Sequence, residues 1–321
     1  MREFELIDAL RRRLVAARPD TRLGIGDDAA ILAPPPEHEL VVTTDTLIAR
    51  RHFPGDTPAF DVGFKSVAVN LSDLGAMGAD PAWLTISLGA PALSGPWCDA
   101  FIDGALAAIG ERAVDIVGGD TTKNDTLTIS ITALGLVPRG AALRRDGARV
   151  GDLVAVTGTL GDAAAGLACW DTRRPAGGDE AMLIARLTRP SWRPGARVRG
   201  IARAAVDISD GLLSDLGHIL AASAAGATID VDALPCSPAL ARYAPDPALR
   251  RRLQATGGDD YELCLSVDPA DLAAARGALD CPLTVIGRID REPGLRLVDS
   301  NQNPLDSALF RHAGWDHFDG R

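Results

Sequence analysis

The stretch LGIGDDAAIL, at residues 23–32, sets two adjacent aspartates, Asp27 and Asp28, directly behind a Gly-Ile-Gly turn. The two glycines let the backbone bend sharply and approach a ligand closely. Neighbouring carboxylates repel each other unless a cation lies between them. The stretch therefore fits either a magnesium-bridged phosphate site or a solvated aspartate turn, because Gly-Asp pairs are also common in turns.

The same residues match the dinucleotide-binding pattern GxGxxA through Gly24, Gly26 and Ala29. That pattern binds phosphates only where a strand precedes it and a helix follows it. Here RPDTR at 18–22 precedes the turn and APPP at 33–36 follows it, so neither flank fits. We therefore reject a dinucleotide-binding fold around this turn.

Composition limits the class of protein. The chain has 321 residues, 46% hydrophobic and 24% charged, which suits a soluble globular protein of about two domains. A net charge of −10 argues against sequence-independent nucleic-acid binding, which needs many cationic contacts. Five dispersed cysteines without a CxxC pair indicate reduced thiols in the cytoplasm. The N-terminus, MREFEL, is too charged for a signal peptide and no apolar run reaches membrane-spanning length, so we expect a cytoplasmic protein without membrane contacts.

The first half alternates predicted helices and strands. Leucine spacing predicts a helix over 3–16, and further patterns predict a strand over 40–44, a helix over 61–77, a strand over 83–88 and a helix over 99–113. The first of these strands ends in Thr43, Thr44 and Asp45, whose oxygens suit a hard cation or simply terminate the strand.

A polar stripe runs along the predicted helix 61–77. Ser66, Asn70 and Asp73 share one face of an otherwise apolar segment. Because an unpaired buried carboxylate is costly, we expect this stripe to meet a site, although a buried and satisfied stripe also fits.

Glycine-aspartate motifs recur along the rest of the chain. The short apolar strand 114–117 leads into GGDTTK at 118–123, which predicts either a phosphate-cradling turn with Asp120 as metal ligand or an ordinary tight turn. We place the domain boundary between 148 and 149. In the second domain DISDG at 207–211 precedes a predicted helix with Ser209 as its N-cap, and GGDDYE at 257–262 precedes a strand over 263–267.

Aspartates therefore occur at six separate places in the sequence, namely 27–28, 45, 73, 120, 207–210 and 259–260. The chain contains no HExxH, GxSxG or GxxxxGK[ST] motif, which argues against a zinc protease, a serine hydrolase and a P-loop enzyme. Many carboxylates and glycine turns without a nucleophile fit metal-assisted phosphoryl transfer, which depends on positioning and charge neutralisation.

Together these motifs resemble the thiamine-monophosphate kinase family, a branch of the aminoimidazole ribonucleotide synthetase-like ATP-binding superfamily. The resemblance extends from the GIGDD stretch nearly to the last residue. It rests on TTD at 43–45, VNLSDLGAMGADP at 69–81, GGDT at 118–121, DISDGL at 207–212, GGDDYEL at 257–263 and GWDHF at 314–318.

The resemblance implies a fold of two α/β (α+β) domains. Residues 1–148 would be the ATP- and magnesium-binding dimerisation domain, which pairs with its copy into a homodimeric β-barrel. Residues 149–321 would form the α/β domain that completes the active site. The implied reaction is direct in-line phosphoryl transfer from ATP to thiamine monophosphate with several Mg²⁺ ions, giving ADP and thiamine diphosphate.

Site residues also follow from the resemblance. The implied metal ligands are Asp28, Thr43, Thr44, Asp45, Asp73, Asp120, Asp207 and Asp210. ATP would be contacted by Gly119, Asp120, Arg145 and Ser209, and thiamine monophosphate by His52, Asp259 and Trp315. Asp259 and Trp315 depart from the family pattern, which usually has Glu and often Tyr there. Because the acceptor phosphate is already anionic near pH 7, no single catalytic base is expected, and Asp45, Asp120 and Asp210 would act through metal.

Two alternatives stay open at this stage. The chain could be another ATP-dependent member of the superfamily with a different acceptor. It could also be a nucleotide-binding protein that has lost catalysis, although so many carboxylates would serve no purpose there.

Overall fold

The structure is a computed structural model that describes residues 13–14, 16–172 and 177–306. Contacts divide the chain into two compact units, Met1–Gly75 with Ala79–Ala142 and Ala76–Gly78 with Leu143–Arg321. The change between units thus falls at 142–143, a few residues before the predicted boundary at 148–149. The predicted helix over 3–16 lies almost wholly outside the described residues.

The first unit is built on a four-stranded sheet with a separate two-stranded hairpin. Its elements are β1 Thr21–Leu23, β2 Ile31–Leu32, β3 His38–Ile48, α1 Ala59–Ala76, β4 Asp80–Ala90, α2 Gly95–Ile109, β5 Asp115–Lys123 and β6 Thr128–Pro138. The strand order of the sheet is β3-β6-β4-β5, in which β4 and β5 are parallel and the other pairs are antiparallel. The hairpin is formed by β1 and β2.

One predicted turn is a strand. The sequence predicts a turn at GGDTTK after a strand that ends at 117, but β5 continues through these residues to Lys123. Gly119 lies in register with Ile86 of β4, and a Cβ at Gly119 would stand 1.9 Å from the Ile86 carbonyl oxygen. Glycine is therefore required by close strand approach rather than by a turn.

Helices α1 and α2 pack closely against each other at two glycines, one on each helix. A Cβ on Gly63 would stand 1.9 Å from the Phe101 carbonyl oxygen, and one on Gly104 would stand 1.8 Å from the Phe60 carbonyl oxygen. Because these are backbone atoms inside a close-packed layer, the helices could accept a methyl group only by moving apart.

We expect Gly63→Ala to lower the free energy of unfolding by about 2 kcal/mol or more, the cost of overpacking a tight contact. Gly217→Ala is the matched control, because a Cβ there has no neighbour within 4 Å. Alanine in that helix should instead stabilise the chain by about 0.5–1 kcal/mol. Urea denaturation measures both, and equal effects would contradict the helix contact.

The second unit contains a six-stranded sheet. Its elements are β7 Leu153–Thr157, α3 Asp162–Asp171, α4 Asp179–Thr188, β8 Ala202–Asp207, α5 Leu212–Ala222, β9 Gly226–Asp230, α6 Pro238–Tyr243, α7 Pro247–Thr256, β10 Leu263–Val267, α8 Leu272–Ala278, β11 Leu283–Asp290 and β12 Gly294–Val298. The strand order is β12-β9-β11-β7-β10-β8, and all pairs are antiparallel except β12 with β9.

This sheet is buried on both faces. Val154 and Val156 of β7 pack into one cluster with the apolar side of α5, whereas Ala155 belongs to a second cluster with Leu265 and Ala275. Alternate residues of a strand point to opposite faces, so the uninterrupted apolar run in β7 is what a sheet covered on both sides requires. None of the helices in the described ranges is long and apolar enough to cross a membrane.

Candidate active site

The polar stripe of α1 faces the strand that carries the TTD motif. The Thr43 hydroxyl donates to Asp73 Oδ2 at 2.5 Å, and the backbone N–H of Asp45 donates to Asn70 Oδ1 at 3.2 Å. The Asn70 amide in turn donates to the Ser66 carbonyl oxygen at 3.0 Å. The structure therefore brings the Thr43 hydroxyl and the Asp73 carboxylate together, and alternation along β3 puts the Asp45 side chain on the same face of the sheet as Thr43. Oxygen atoms are the donor type that Mg²⁺ prefers. We call Thr43, Asp45 and Asp73 the β3 cluster.

Thr44 points away from this cluster. Its hydroxyl donates to the Ile131 carbonyl oxygen at 3.0 Å, and the neighbouring Thr46 and Ser130 hydroxyls lie 2.8 Å apart. Alternation along β3 places Thr44 and Thr46 on the more exposed face of the sheet. This geometry therefore does not favour a direct contact between the Thr44 side chain and the ion that Thr43 would bind.

Asp120 shares that exposed face. It pairs in register with Ser87, Ser87 pairs with Ser130, and Ser130 pairs with Thr46. Residues paired in register point to the same side of a sheet, so Asp120 and Asp45 point to opposite sides.

Asp120 and Asp45 also lie at opposite edges. Within the described part of the chain, β3 and β5 are the outer strands of their sheet. Three strand spacings separate them, which amounts to about 14 Å between backbones. One protomer therefore cannot bring both carboxylates to a single ion.

The remaining site residues of the first unit lie on loops. Asp27 and Asp28 are exposed in the loop between β1 and β2, where the Asp28 N–H donates to Asp27 Oδ1 at 2.9 Å. The short strand β1 does precede the turn, contrary to the sequence prediction for that flank, but a strand rather than a helix follows it, which agrees with the rejection of the dinucleotide pattern. His52 follows β3 and accepts from the Ile48 N–H through Nδ1 at 2.9 Å, so the neutral ring carries its proton on Nε2.

In the second unit three loops meet at one end of the sheet. The loop 158–161 follows β7, the loop 208–211 follows β8, and the loop 257–262 precedes β10. Because β10 lies between β7 and β8 and runs antiparallel to both, its beginning adjoins their ends.

Backbone hydrogen bonds tie two of these loops together. The N–H groups of Asp259 and Tyr261 donate to the carbonyl oxygens of Ser209 and Ile208, both at 2.8 Å. In the opposite direction, the Ile208 N–H donates to the Glu262 carbonyl oxygen at 2.8 Å. The DISDG and GGDDYE motifs, widely separated in sequence, therefore form one structural element.

The DISDG turn is held by an aspartate that the sequence did not single out. Asp215 Oδ2 accepts from the N–H groups of Ser209, Asp210 and Gly211 at 3.0, 3.1 and 3.1 Å. Burial raises the pKa of Asp215 to about 7, the Asp210 charge adds to the rise, and the three N–H groups oppose it. The prediction of Ser209 as the N-cap is wrong: Gly211, with φ 120°, occupies that position.

The adjacent carboxylates of the GGDDYE motif take different environments. Asp259 is half-buried, has φ 66° and accepts from the Tyr261 hydroxyl at 3.0 Å. Asp260 is buried, and its Oδ2 accepts from the Gly161 N–H at 2.8 Å. Its Oδ1 has no hydrogen-bond partner among the described residues. Burial holds the pKa of Asp260 well above its usual range, against the opposing influence of the Gly161 N–H.

A raised pKa in the folded state predicts a stability that falls with pH. Unfolded Asp260 releases its proton near pH 4, whereas the folded chain retains it to higher pH, so folding is favoured most below pH 4 and less as pH rises. We expect Asp260→Asn to remove this dependence. For one proton, the free energy of unfolding changes by at most about 1.4 kcal/mol per pH unit. Urea denaturation at several pH values measures it, and parallel curves for both proteins would contradict the assignment.

Behind this loop lies a buried ion pair that sequence reasoning missed. Glu262 is fully buried and accepts from Arg193 through two hydrogen bonds of 2.6 Å. Arg186 donates to it at 3.1 Å and the Thr157 hydroxyl at 2.7 Å. These contacts fix the end of the loop at the start of β10.

The remaining predicted site residues are Arg145, Asp207, Asp210 and Trp315. Arg145 lies in the single turn Arg145–Gly147, where its side chain is exposed and its carbonyl oxygen accepts from the Ser223 hydroxyl at 2.9 Å. Asp207 ends β8 and is buried, and Asp210 is half-buried. Trp315 lies outside the described residues. Across residues 13–14, 16–172 and 177–306, no group of three or more His, Cys, Asp or Glu side chains is arranged to hold a metal ion.

Comparisons with known proteins give one consistent family. Family models described as AIR synthase related protein, N-terminal domain and C-terminal domain, match residues 26–137 and 149–300. A thiamine-monophosphate kinase of Salmonella typhimurium is 45% identical over 325 residues and covers 98% of both chains.

Two solved structures of the same family are similar to this chain. Thiamine-monophosphate kinase from Stenotrophomonas maltophilia K279a has a TM-score of 0.85 at 47% identity, covering 92% of this chain and 96% of that one. AaThiL complexed with AMPPCP and TMP has a TM-score of 0.79 at 32% identity, covering 99% of both chains.

Proposed function

Because the chain belongs to the AIR synthase related family and, within it, to the thiamine-monophosphate kinases, we propose that it transfers the γ-phosphoryl group of ATP directly to thiamine monophosphate. The products are ADP and thiamine diphosphate. The likeness to AaThiL complexed with AMPPCP and TMP supports this pair of substrates. The five cysteines, free of disulfides in the described residues, suit a reaction in the reducing cytoplasm.

The β3 cluster is the observation that carries the proposal. Its three side chains, one threonine and two aspartates, offer hydroxyl and carboxylate oxygens and no nitrogen or sulfur ligand, which fits Mg²⁺ rather than zinc. Bound Mg²⁺ would neutralise the phosphate oxygens that two anionic reactants bring together. The acceptor phosphate needs little help from a base, so positioning and charge account for the chemistry.

The proposal assigns a role to each of the predicted site residues. We assign Asp28, Thr43, Thr44, Asp45, Asp73, Asp120, Asp207 and Asp210 to the magnesium ions. Gly119, Asp120, Arg145 and Ser209 contact ATP. His52, Asp259 and Trp315 contact thiamine monophosphate, with the Trp315 ring against the cationic thiamine.

We propose that a homodimer completes the active site. Asp45 and Asp120 lie at opposite sheet edges and point to opposite faces, so joining β3 of one protomer to β5 of its partner would bring the two carboxylates to neighbouring cations rather than to the same one. Leu40 and Val42 support such pairing, because they are 47% and 59% exposed on the face that also carries Thr44. Closing two sheets into a barrel would bury them and cover both edges.

An ADP-release assay with different acceptors tests the function. With ATP and Mg²⁺, we expect release with thiamine monophosphate and none above background with thiamine or an aminoimidazole ribonucleotide precursor. Release with the aminoimidazole substrate alone would favour the other superfamily activity. ATP binding without release for any acceptor would favour a nucleotide-binding protein without catalysis.

A further inference from the structure

The carboxylate of Asp215 occupies a cradle that the DISDG turn forms with its own backbone. Three successive N–H groups, from residues 209, 210 and 211, converge on one oxygen of a side chain that is 3% exposed. Each bond is charge-assisted when the acceptor is ionised, and such bonds are about twice as strong as neutral ones.

Successive backbone N–H groups of this kind usually form an anion-binding concavity. At this turn the concavity is already filled by Asp215, so a phosphate group cannot also take these three donors. A nucleotide near this turn therefore has to be contacted by other groups, and the side chains available are the Ser209 hydroxyl and, through a cation, the carboxylates of Asp210 and of Asp207 at the end of β8.

The Ser209 carbonyl oxygen of the turn contacts the loop 257–262, and that loop is held in place by contacts that do not involve Asp215. Ser209 accepts from the Asp259 N–H, and a Cβ on Gly258 would stand 2.5 Å from the Ser209 carbonyl oxygen. The loop 257–262 has its own anchors in Asp260 and Glu262. Loss of the Asp215 carboxylate would thus release the 209–211 turn while the loop that carries Asp259 stays in place.

We propose that Asp215 is a positioning residue that fills the backbone cradle of the DISDG turn and thereby directs Ser209 and Asp210 toward the nucleotide and its cation. This role rests on the proposed function, since it assigns nucleotide and metal contacts to that turn. Asp215 itself touches neither reactant.

Two variants test it by calorimetry of AMPPCP binding with Mg²⁺ and by steady-state kinetics. We expect Asp215→Ala to lower kcat/KM for ATP by about 100-fold, the cost of misplacing catalytic groups by about 1 Å. Asp215→Asn retains an amide oxygen for the three donors, so we expect a loss of about 10-fold. Affinity for Mg²⁺ with AMPPCP should fall in the same order, while KM for thiamine monophosphate changes less than about 2-fold.

Asp152→Asn is the matched control. Asp152 is also buried in the second unit and accepts from the Arg149 N–H at 2.9 Å, but it lies at the opposite end of β7 from the loops. We expect this variant to melt at a lower temperature with unchanged affinity for Mg²⁺ and AMPPCP. A loss of that affinity equal to the loss in Asp215→Asn would assign both effects to general destabilisation and overturn the proposal.

The outcomes separate this role from the proposed function. If Asp215→Ala does not fold, Asp215→Asn decides, and wild-type affinity for Mg²⁺ with AMPPCP in the folded variant overturns the positioning role. If the wild-type chain binds AMPPCP but phosphorylates no acceptor, the proposed function fails while the binding comparison still tests Asp215.

Discussion

Asp45→Asn and Asp120→Asn should each lower kcat for thiamine diphosphate formation by about 10³-fold or more. Each change removes a negative charge from a proposed cation site, and metal stabilisation of a phosphoryl-transfer transition state is worth several kcal/mol. His52→Ala should cost at most about 10-fold, mainly in KM, since it removes a hydrogen-bonding ring and no charge on the metal. Steady-state kinetics at saturating ATP and Mg²⁺ measure all three.

The Asp45 backbone supplies a further check on that comparison. Asn70 accepts from its N–H, and asparagine at 45 keeps this contact, so the Asp45→Asn chain should fold and melt like the wild type. Equal, mild losses in all three variants would contradict the assignment of the carboxylates to metal ions.

Arg193→Met should lower the free energy of unfolding by about 3 kcal/mol. Glu262 is fully buried, and the change removes two of its 2.6 Å hydrogen bonds while leaving its charge inside the protein. Removing one partner of a buried pair typically costs about 3–5 kcal/mol, and the remaining contacts from Arg186 and Thr157 place this case at the lower end. Denaturant unfolding measures the change.

Arg242→Met is the control with the same geometry in solvent. Arg242 also forms two 2.6 Å hydrogen bonds to one carboxylate, that of Asp179, but both side chains are exposed. Exposed pairs contribute little, so the melting temperature should not change measurably. If Arg193→Met and Arg242→Met shift stability equally, burial does not determine the strength of the Glu262 pair.

Local pattern predicted the elements well where periodicity was strong. The helix expected at 61–77 is observed at Ala59–Ala76, and the strand expected at 263–267 has the predicted bounds. The stripe of Asn70 and Asp73 was visible from spacing alone. Its contact partners on β3 were not, because nothing local specifies which strand a helix covers.

The errors have physical causes beyond the local sequence. GGDTTK resembles a turn, but β4 lies so close that Gly119 is needed inside a strand. Ser209 resembles an N-cap, yet Asp215 from the following helix takes the three turn N–H groups. The sequence presents Asp259 and Asp260 as one acidic pair, and only the fold shows that the first carboxylate is half-buried and the second fully buried.

The most direct measurement concerns the two carboxylates at opposite edges of one sheet. A heterodimer of an Asp45→Asn protomer and an Asp120→Asn protomer can be isolated with two affinity tags. If Asp45 acts with Asp120 of the partner subunit, one site of the heterodimer is intact and about half the wild-type kcat returns. If the heterodimer is as inactive as either variant alone, or if no dimer forms in solution, the shared site is contradicted.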